Sequence, residues 1–161
     1  MQSAQILTEY DVYASAEELN GADKMLLNKA KDATALAYAP YSNFKVGAAA
    51  RLMNGEMITA ANQENASFPA GICAERNLLA VASALHPSVA VEAIAISYKN
   101  ENGESVHPIS PCGICRQSLL EYEERMKHPI RLILGGMTGK IYTISSSKSL
   151  LPLSFTSDDI K

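Results

Sequence analysis

The chain contains no tryptophan and only three cysteines in 161 residues. An odd number of cysteines cannot all pair within one chain, so a disulfide framework is a poor reading. Three thiols at short spacings instead suit a reducing compartment, with metal binding or a reactive thiol as their roles. No run of about 18 apolar residues occurs, so no membrane-spanning helix is expected. The stretch Met1 to Tyr10 lacks a basic segment followed by an apolar one. No secretory signal is therefore evident, and the expected location is the cytoplasm. Asn65-Ala66-Ser67 formally matches a glycosylation acceptor, which means nothing without secretion. Excess positive charge is missing too. Lys+Arg is 14 against 17 Asp+Glu, a formal net charge of −3. Domains that grip nucleic-acid phosphates are usually basic, so no nucleic-acid partner is expected. Internal repeats and low-complexity tracts are absent. Gly135, Gly136 and Gly139 mark a turn rather than a phosphate loop, because no Lys-Ser/Thr pair follows them.

What is present suits one packed domain, with 47% hydrophobic and 19% charged residues. Ser15-Ala16-Glu17-Glu18 fits a capping box ahead of a short helical turn. From Asp23, the residues Met25, Leu26, Leu27, Ala30, Ala33, Leu36 and Ala37 recur at helical spacing, and Pro40 stops the helix. Asn54-Gly55 is a hairpin turn between strands over Phe44 to Met53 and Glu56 to Asn62. A loop over 63–71 leads to a helix from Cys73 to Leu85. A strand from Val89 to Tyr98 and a loop to Ser110 follow. Ser110-Pro111 reads as a helix cap with proline at the first helical position, opening a helix to about Met126. Strands over Ile130 to Gly135 and Lys140 to Ile144 complete the pattern. The alternation predicts an α/β fold with a mixed sheet of about five strands. Its middle strands are expected to be parallel neighbours.

Two segments carry the chemistry, Cys73-Ala74-Glu75-Arg76 and Pro111-Cys112-Gly113-Ile114-Cys115. Each begins a predicted helix at one end of the sheet, where α/β folds hold ligands. Cys112 and Cys115 share a helical face, and Cys73 can join them from the neighbouring helix. A Cys-x-x-Cys pair by itself fits a redox couple as well as a metal site. The proline before Cys112 and the separate Cys73-x-Glu75 move the balance to catalytic zinc. Three sulfur ligands leave a fourth tetrahedral position open. Glu75 is placed to move protons beside it. The two helix N-termini point partial positive charge at three thiolates, and Arg76 is expected to draw off more of their negative charge; a plain surface cation is the alternative reading of Arg76. His86, His107 and His128 each precede a proline and read as surface loop residues rather than ligands.

At these residues the chain resembles the zinc-dependent cytidine deaminases, of the small homotetrameric type with three cysteine ligands. The resemblance extends through Ala39-Pro40-Tyr41-Ser42-Asn43-Phe44-Lys45-Val46-Gly47-Ala48-Ala49, Asn62-Gln63-Glu64-Asn65-Ala66-Ser67-Phe68-Pro69 and Leu150-Leu151-Pro152-Leu153-Ser154-Phe155. It implies a three-layer α-β-α domain over residues 23–161, with residues 1–22 as an N-terminal extension. It implies one zinc ion per subunit on Cys73, Cys112 and Cys115. Glu75 would take a proton from the zinc-held water, deliver it to N3 of cytosine, and later protonate the leaving amine. Phe44 would pack on the pyrimidine. Asn62 and Glu64 would bond the ribose 3′-hydroxyl. The Ala74 N–H would hold the base carbonyl, and the Ser110 carbonyl the amino group. Phe155 would come from a neighbouring subunit, so that active sites sit at subunit interfaces. Simpler readings stand beside these: Phe44 and Phe155 as core, Asn62 as a turn cap, Glu64 as a solvated loop acid. Relatives often carry tyrosine where this chain has Phe68. The implied function is deamination of cytidine and 2′-deoxycytidine in pyrimidine salvage. The alternatives are a deaminase of a nucleoside analogue such as blasticidin S, and an inactive zinc-stabilised binding module. A nucleic-acid base deaminase is disfavoured by the charge, the missing tryptophan, and Cys73 where that signature usually has histidine.

Overall fold

A computed structural model of the chain describes residues 1–160. Its strands are β1 (Asp11–Tyr13), β2 (Phe44–Leu52), β3 (Met57–Ala61), β4 (Val91–Asn100), β5 (Arg131–Gly135) and β6 (Ile141–Ile144). Its helices are α1 (Gly21–Ala33), α2 (Ala74–Leu85) and α3 (Gly113–Met126). The strands form one mixed sheet in the order β1-β6-β5-β4-β2-β3. The expected five strands thus become six. The additional one, β1, is three residues long and pairs antiparallel with β6. Three residues are too few to show an alternating pattern, so it was invisible in the sequence.

The β2–β3 hairpin forms as expected, and Gly55 adopts φ +86° in its turn. Among the described strands, only β4 and β5 pair in parallel. β3 and β4 are not neighbours, contrary to expectation, because β2 lies between them and pairs antiparallel with both. The connection from β3 through α2 steps over β2 before returning to the sheet. β2 is therefore an interior strand, one in from the β3 edge, and covered on both faces. Its small residues Ala48, Ala49 and Ala50 are fully buried, which lets helices approach from either side. At Gly47 the approach is closest: a Cβ there would lie 2.1 Å from the Ala30 carbonyl oxygen.

Leu26, Leu27 and Ala30 of α1 pack on Ala49, Ala93, Ala95 and Ile133 on one face. Leu78, Leu79 and Ala82 of α2, with Leu119 and Tyr122 of α3, pack on Ala48, Ala50, Ile94, Ile96, Leu132 and Leu134 on the other. Each fully buried leucine contributes about 1.5–3 kcal/mol. This is the expected three-layer α-β-α arrangement. α1 starts two residues earlier than predicted because Asn20 caps it, accepting the Asp23 N–H at 2.9 Å. It ends at Ala33, well before Pro40. The chain turns extended at Ala37, and the Tyr38 N–H then bonds the Asn62 carbonyl at 3.0 Å. That pairing draws Tyr38 to Asn43 alongside the end of β3. No helix among the described residues is long and apolar enough to cross a membrane.

Candidate active site and metal centre

The two cysteine segments meet at the N-termini of α2 and α3. Cys73 and Cys112 are the capping residues, each in extended backbone. Their carbonyls accept the Asn77 and Arg116 N–H groups at 3.0 and 2.9 Å, while their thiols take no part in capping. The cap of α3 was expected at Ser110 and lies two residues later. Cys112 is itself still extended, at φ −68° and ψ 170°, so the helix begins after it. This shift places Cys112 and Cys115 at the cap and third helical positions, with sulfurs 3.2 Å apart. The Cys73 and Cys112 sulfurs are 3.8 Å apart. All three lie within 4.8 Å of one another.

That spacing fits a metal. Four-coordinate zinc with Zn–S bonds of about 2.3 Å separates its sulfurs by about 3.8 Å. Cys73 and Cys112 already meet this distance, and the Cys112–Cys115 pair needs only a small opening. No histidine joins the group. His86 Nδ1 contacts Glu56 at 3.1 Å, and His128 Nδ1 lies 2.8 Å from the Pro129 carbonyl.

The electrostatics of the metal-free sulfurs follow from their contacts. Cys73 is pulled down to about 6, chiefly by the hydrogen bond from Cys115, with smaller help from Cys112 and Arg76. Donating that bond pushes Cys115 up, and burial adds to it. Glu75 is 5% exposed, and burial raises its pKa above the usual carboxylate range. The neighbouring Cys115 thiol opposes part of that rise. Arg76 contributes charge to Cys73 and is half-buried.

A cleft of about 540 Å³ opens beside Cys73, and Tyr41, Asn62, Glu64, Phe68 and Ile72 line it. Asn62 spends one acceptor on the Val46 N–H at 2.8 Å and one donor on the Phe44 carbonyl at 3.0 Å. One lone pair and one N–H remain for a ligand. Glu64 receives the Tyr41 and Ser42 N–H groups on one oxygen, at 2.8 and 3.3 Å, leaving the other free. Bonds from Ser42 and the Tyr41 backbone hold its carboxyl below the ordinary range. Ala74 is fully buried at the first position of α2, where an N–H has no partner within the helix. Ser110 is exposed, two residues before Cys112. Phe44 is partly buried and stacks on Tyr98. Phe155 is 60% exposed, and its carbonyl accepts a bond from Gln117 of α3 at 3.0 Å.

Comparison with known proteins agrees with this geometry. Residues 21–128 match the family described as the cytidine and deoxycytidylate deaminase zinc-binding region. The chain belongs to this deaminase family. Over 139 residues it is 37% identical to the cytidine deaminase of Halalkalibacterium halodurans, covering 85% of this chain and 96% of that protein. A Mycobacterium tuberculosis cytidine deaminase is 41% identical over 110 residues, 66% of this chain and 78% of the relative. The crystal structure of cytidine deaminase from Burkholderia pseudomallei superposes with a TM-score of 0.70 at 38% identity, covering 81% of this chain and 97% of that one. The deaminase family is zinc-binding, and the three-sulfur cluster is the group here that can hold the ion.

Several residues of the site were not found in the sequence. Asn77 ties α2 to the end of β3 through its bond to the Ala61 carbonyl at 3.1 Å. Arg116 donates to the Pro111 carbonyl at 2.8 Å and to the Leu150 carbonyl at 2.9 Å, joining the metal loop to the C-terminal segment. A basic residue directly after the second cysteine of the pair is the only sequence signal for it. Tyr98 was read only as part of an apolar strand, and His107 only as a loop residue.

Proposed function

We propose that the chain catalyses the hydrolytic deamination of cytidine and 2′-deoxycytidine, releasing ammonia and forming uridine or 2′-deoxyuridine, in cytoplasmic pyrimidine salvage. One observation carries the reading: Cys73, one of three clustered sulfurs and two residues from the buried Glu75, lines a cleft that Asn62 and Glu64 also line. Cys73, Cys112 and Cys115 would hold one zinc ion per subunit. When bound, zinc supplies a Lewis acid with one open position, the chemistry that makes water nucleophilic near neutral pH.

The chain's own groups do the rest. Glu75 accepts a proton from the attacking water and gives it to N3 of the base. It then moves the second water proton to the amino nitrogen, which leaves as ammonia as the C4 carbonyl forms. The Ala74 N–H holds the base carbonyl, and the Ser110 carbonyl orients the amino group. Phe44 packs on the pyrimidine. Asn62 and Glu64 use their free lone pairs and N–H on the ribose 3′-hydroxyl. Glu64 carries a negative charge into the cleft, which disfavours a 5′-phosphate and favours nucleosides over nucleotides. Arg76 offsets part of the charge of three thiolates.

We further assign a homotetramer with active sites at subunit interfaces. The exposure of Cys112, and of Phe68 at 75%, supports a neighbouring subunit as cover for the cleft. Phe155, exposed on its own subunit, is available to reach a neighbouring site. Residues 23–161 form the deaminase domain in this reading, and the N-terminal extension adds β1 to the sheet edge.

The test is direct. Zinc-loaded protein is mixed with cytidine, 2′-deoxycytidine, cytidine monophosphate and blasticidin S, and ammonia release is followed with the ultraviolet absorbance. Both nucleosides should turn over faster than the nucleotide and the analogue. Turnover of blasticidin S alone would establish an analogue deaminase, and inactivity on all four would leave a zinc-stabilised binding module.

A further inference from the structure

Two of the residues proposed to hold the base, Phe44 and Ser110, come from separate parts of the chain. Phe44 opens β2, whereas Ser110 ends the loop leaving β4. Tyr98 stands between them. It is the largest of the fully buried side chains, at 1% exposure. In the β2–β4 ladder Phe44 faces Asn100 and Val46 faces Tyr98, so Phe44 and Tyr98 are diagonal neighbours on one face. Their rings stack at 4.9 Å with 17° between planes. The other end of Tyr98 reaches the loop, where its Oη lies 3.2 Å from His107 Nδ1.

The loop is fastened on both sides of that contact. Upstream, the Ser105 carbonyl accepts the Met137 N–H at 2.7 Å, and Ser105 Oγ accepts the Asn100 N–H at 2.8 Å. Gly136 lies so close that a Cβ there would fall 2.2 Å from the Ser105 carbonyl oxygen. Downstream, Arg116 holds the Pro111 carbonyl. Ser110 is thus bracketed by the His107–Tyr98 bond before it and the Pro111–Arg116 bond after it.

We infer that Tyr98 is a positioning residue that sets the spacing between the Phe44 ring and the Ser110 carbonyl. Its ring fixes the plane of Phe44, and its hydroxyl, through His107, fixes the segment that presents Ser110. The inference rests on the nucleoside reading above. Stacked aromatic pairs and correct placement of the reacting groups make separable contributions. Losing the ring should weaken binding, and losing the hydroxyl should slow turnover.

The test uses the zinc-loaded enzyme with cytidine, and calorimetric binding of uridine as a readout that needs no turnover. Phe44→Ala serves as the reference for loss of the base wall and should raise KM. Tyr98→Leu should raise KM and the uridine Kd by about fivefold or more. Tyr98→Phe keeps the ring, so it should restore both to within about twofold of wild type while kcat stays lowered about threefold or more. His107→Ala, at an exposed position, should reproduce that kcat loss. Combining it with Tyr98→Phe should add nothing, because both remove the same bond. If Tyr98→Leu does not fold, the Tyr98→Phe and His107→Ala cycle decides alone. A wild type active on cytidine with kcat unchanged in both of these variants would overturn this assignment by itself. A wild type inactive on cytidine would overturn the nucleoside reading and the assignment with it.

Discussion

Replacing Asn62 by alanine removes a side chain with two duties. Its amide closes the ladder past the end of β3, bonding the Val46 N–H at 2.8 Å and the Phe44 carbonyl at 3.0 Å. A hydrogen bond of this kind contributes about 1 kcal/mol net, so two predict a loss of about 2 kcal/mol. For a domain of this length that lowers Tm by about 4–8 °C, compared at fixed protein concentration because an oligomer's Tm depends on it. The second duty is the ribose. Losing one bond to the 3′-hydroxyl should raise KM for cytidine by about tenfold. The two duties separate with 3′-deoxycytidine, which lacks the hydroxyl. If Asn62 bonds that group, the penalty for 3′-deoxycytidine must shrink in Asn62→Ala, since enzyme and substrate changes then remove the same contact. Thermal unfolding and steady-state kinetics on both nucleosides measure this. An unchanged 3′-deoxy penalty would refute the ribose contact. A Tm within about 1 °C of wild type would refute the ladder argument.

Other groups give equally specific expectations. Glu123 is 7% exposed and accepts bonds from the Ile130 N–H at 2.7 Å and from the Ser147 N–H and hydroxyl, both at 2.8 Å. Glu123→Ala orphans two buried N–H groups, so urea unfolding should show a loss of about 2–6 kcal/mol, and a change below about 1 kcal/mol would contradict the account. Glu64 has a depressed pKa in the folded chain, so its hold on the Tyr41–Ser42 turn is present above the ordinary carboxylate pKa and lost as pH falls through the lowered value. Side-chain titration followed by NMR should give a midpoint below that of a free glutamate, and a midpoint at or above it would refute the bonds. Zinc removal by a chelator should expose Cys112 and a Cys73 that ionises near pH 6 to alkylation, while buried Cys115 reacts last. Fastest labelling at Cys115 would contradict this order.

The clustering of the three sulfurs in the candidate site was legible because their spacing is local. Cys73-x-Glu75 and Cys112-x-x-Cys115 put their ligands and carboxylate within one turn of a helix start, and short spacing survives any uncertainty in the fold. The Asn54-Gly55 turn was legible for the same reason. What failed was long-range pairing. Nothing in the apolar run of β4 tells whether it meets β2 or β3, so the position of β2 between them was missed. The end of α1 at Ala33 depends on Tyr38 finding Asn62, a partner 24 positions away. Tyr98 and His107 illustrate the same limit. Each is unremarkable in its own segment; only the β2–β4 register brings Tyr98 to Phe44, and only the fold of the loop brings His107 to Tyr98.

The central claim is that Glu75 moves protons beside a metal held by Cys73, Cys112 and Cys115. Glu75→Gln keeps the shape of the side chain and removes its ability to shuttle a proton. The decisive measurement is the rate of ammonia release from cytidine, alongside zinc content per chain, in wild type and Glu75→Gln. The account predicts equal zinc in both proteins and turnover lowered by about 10²- to 10⁴-fold in the variant. Turnover within about tenfold of wild type, at equal zinc content, would contradict it.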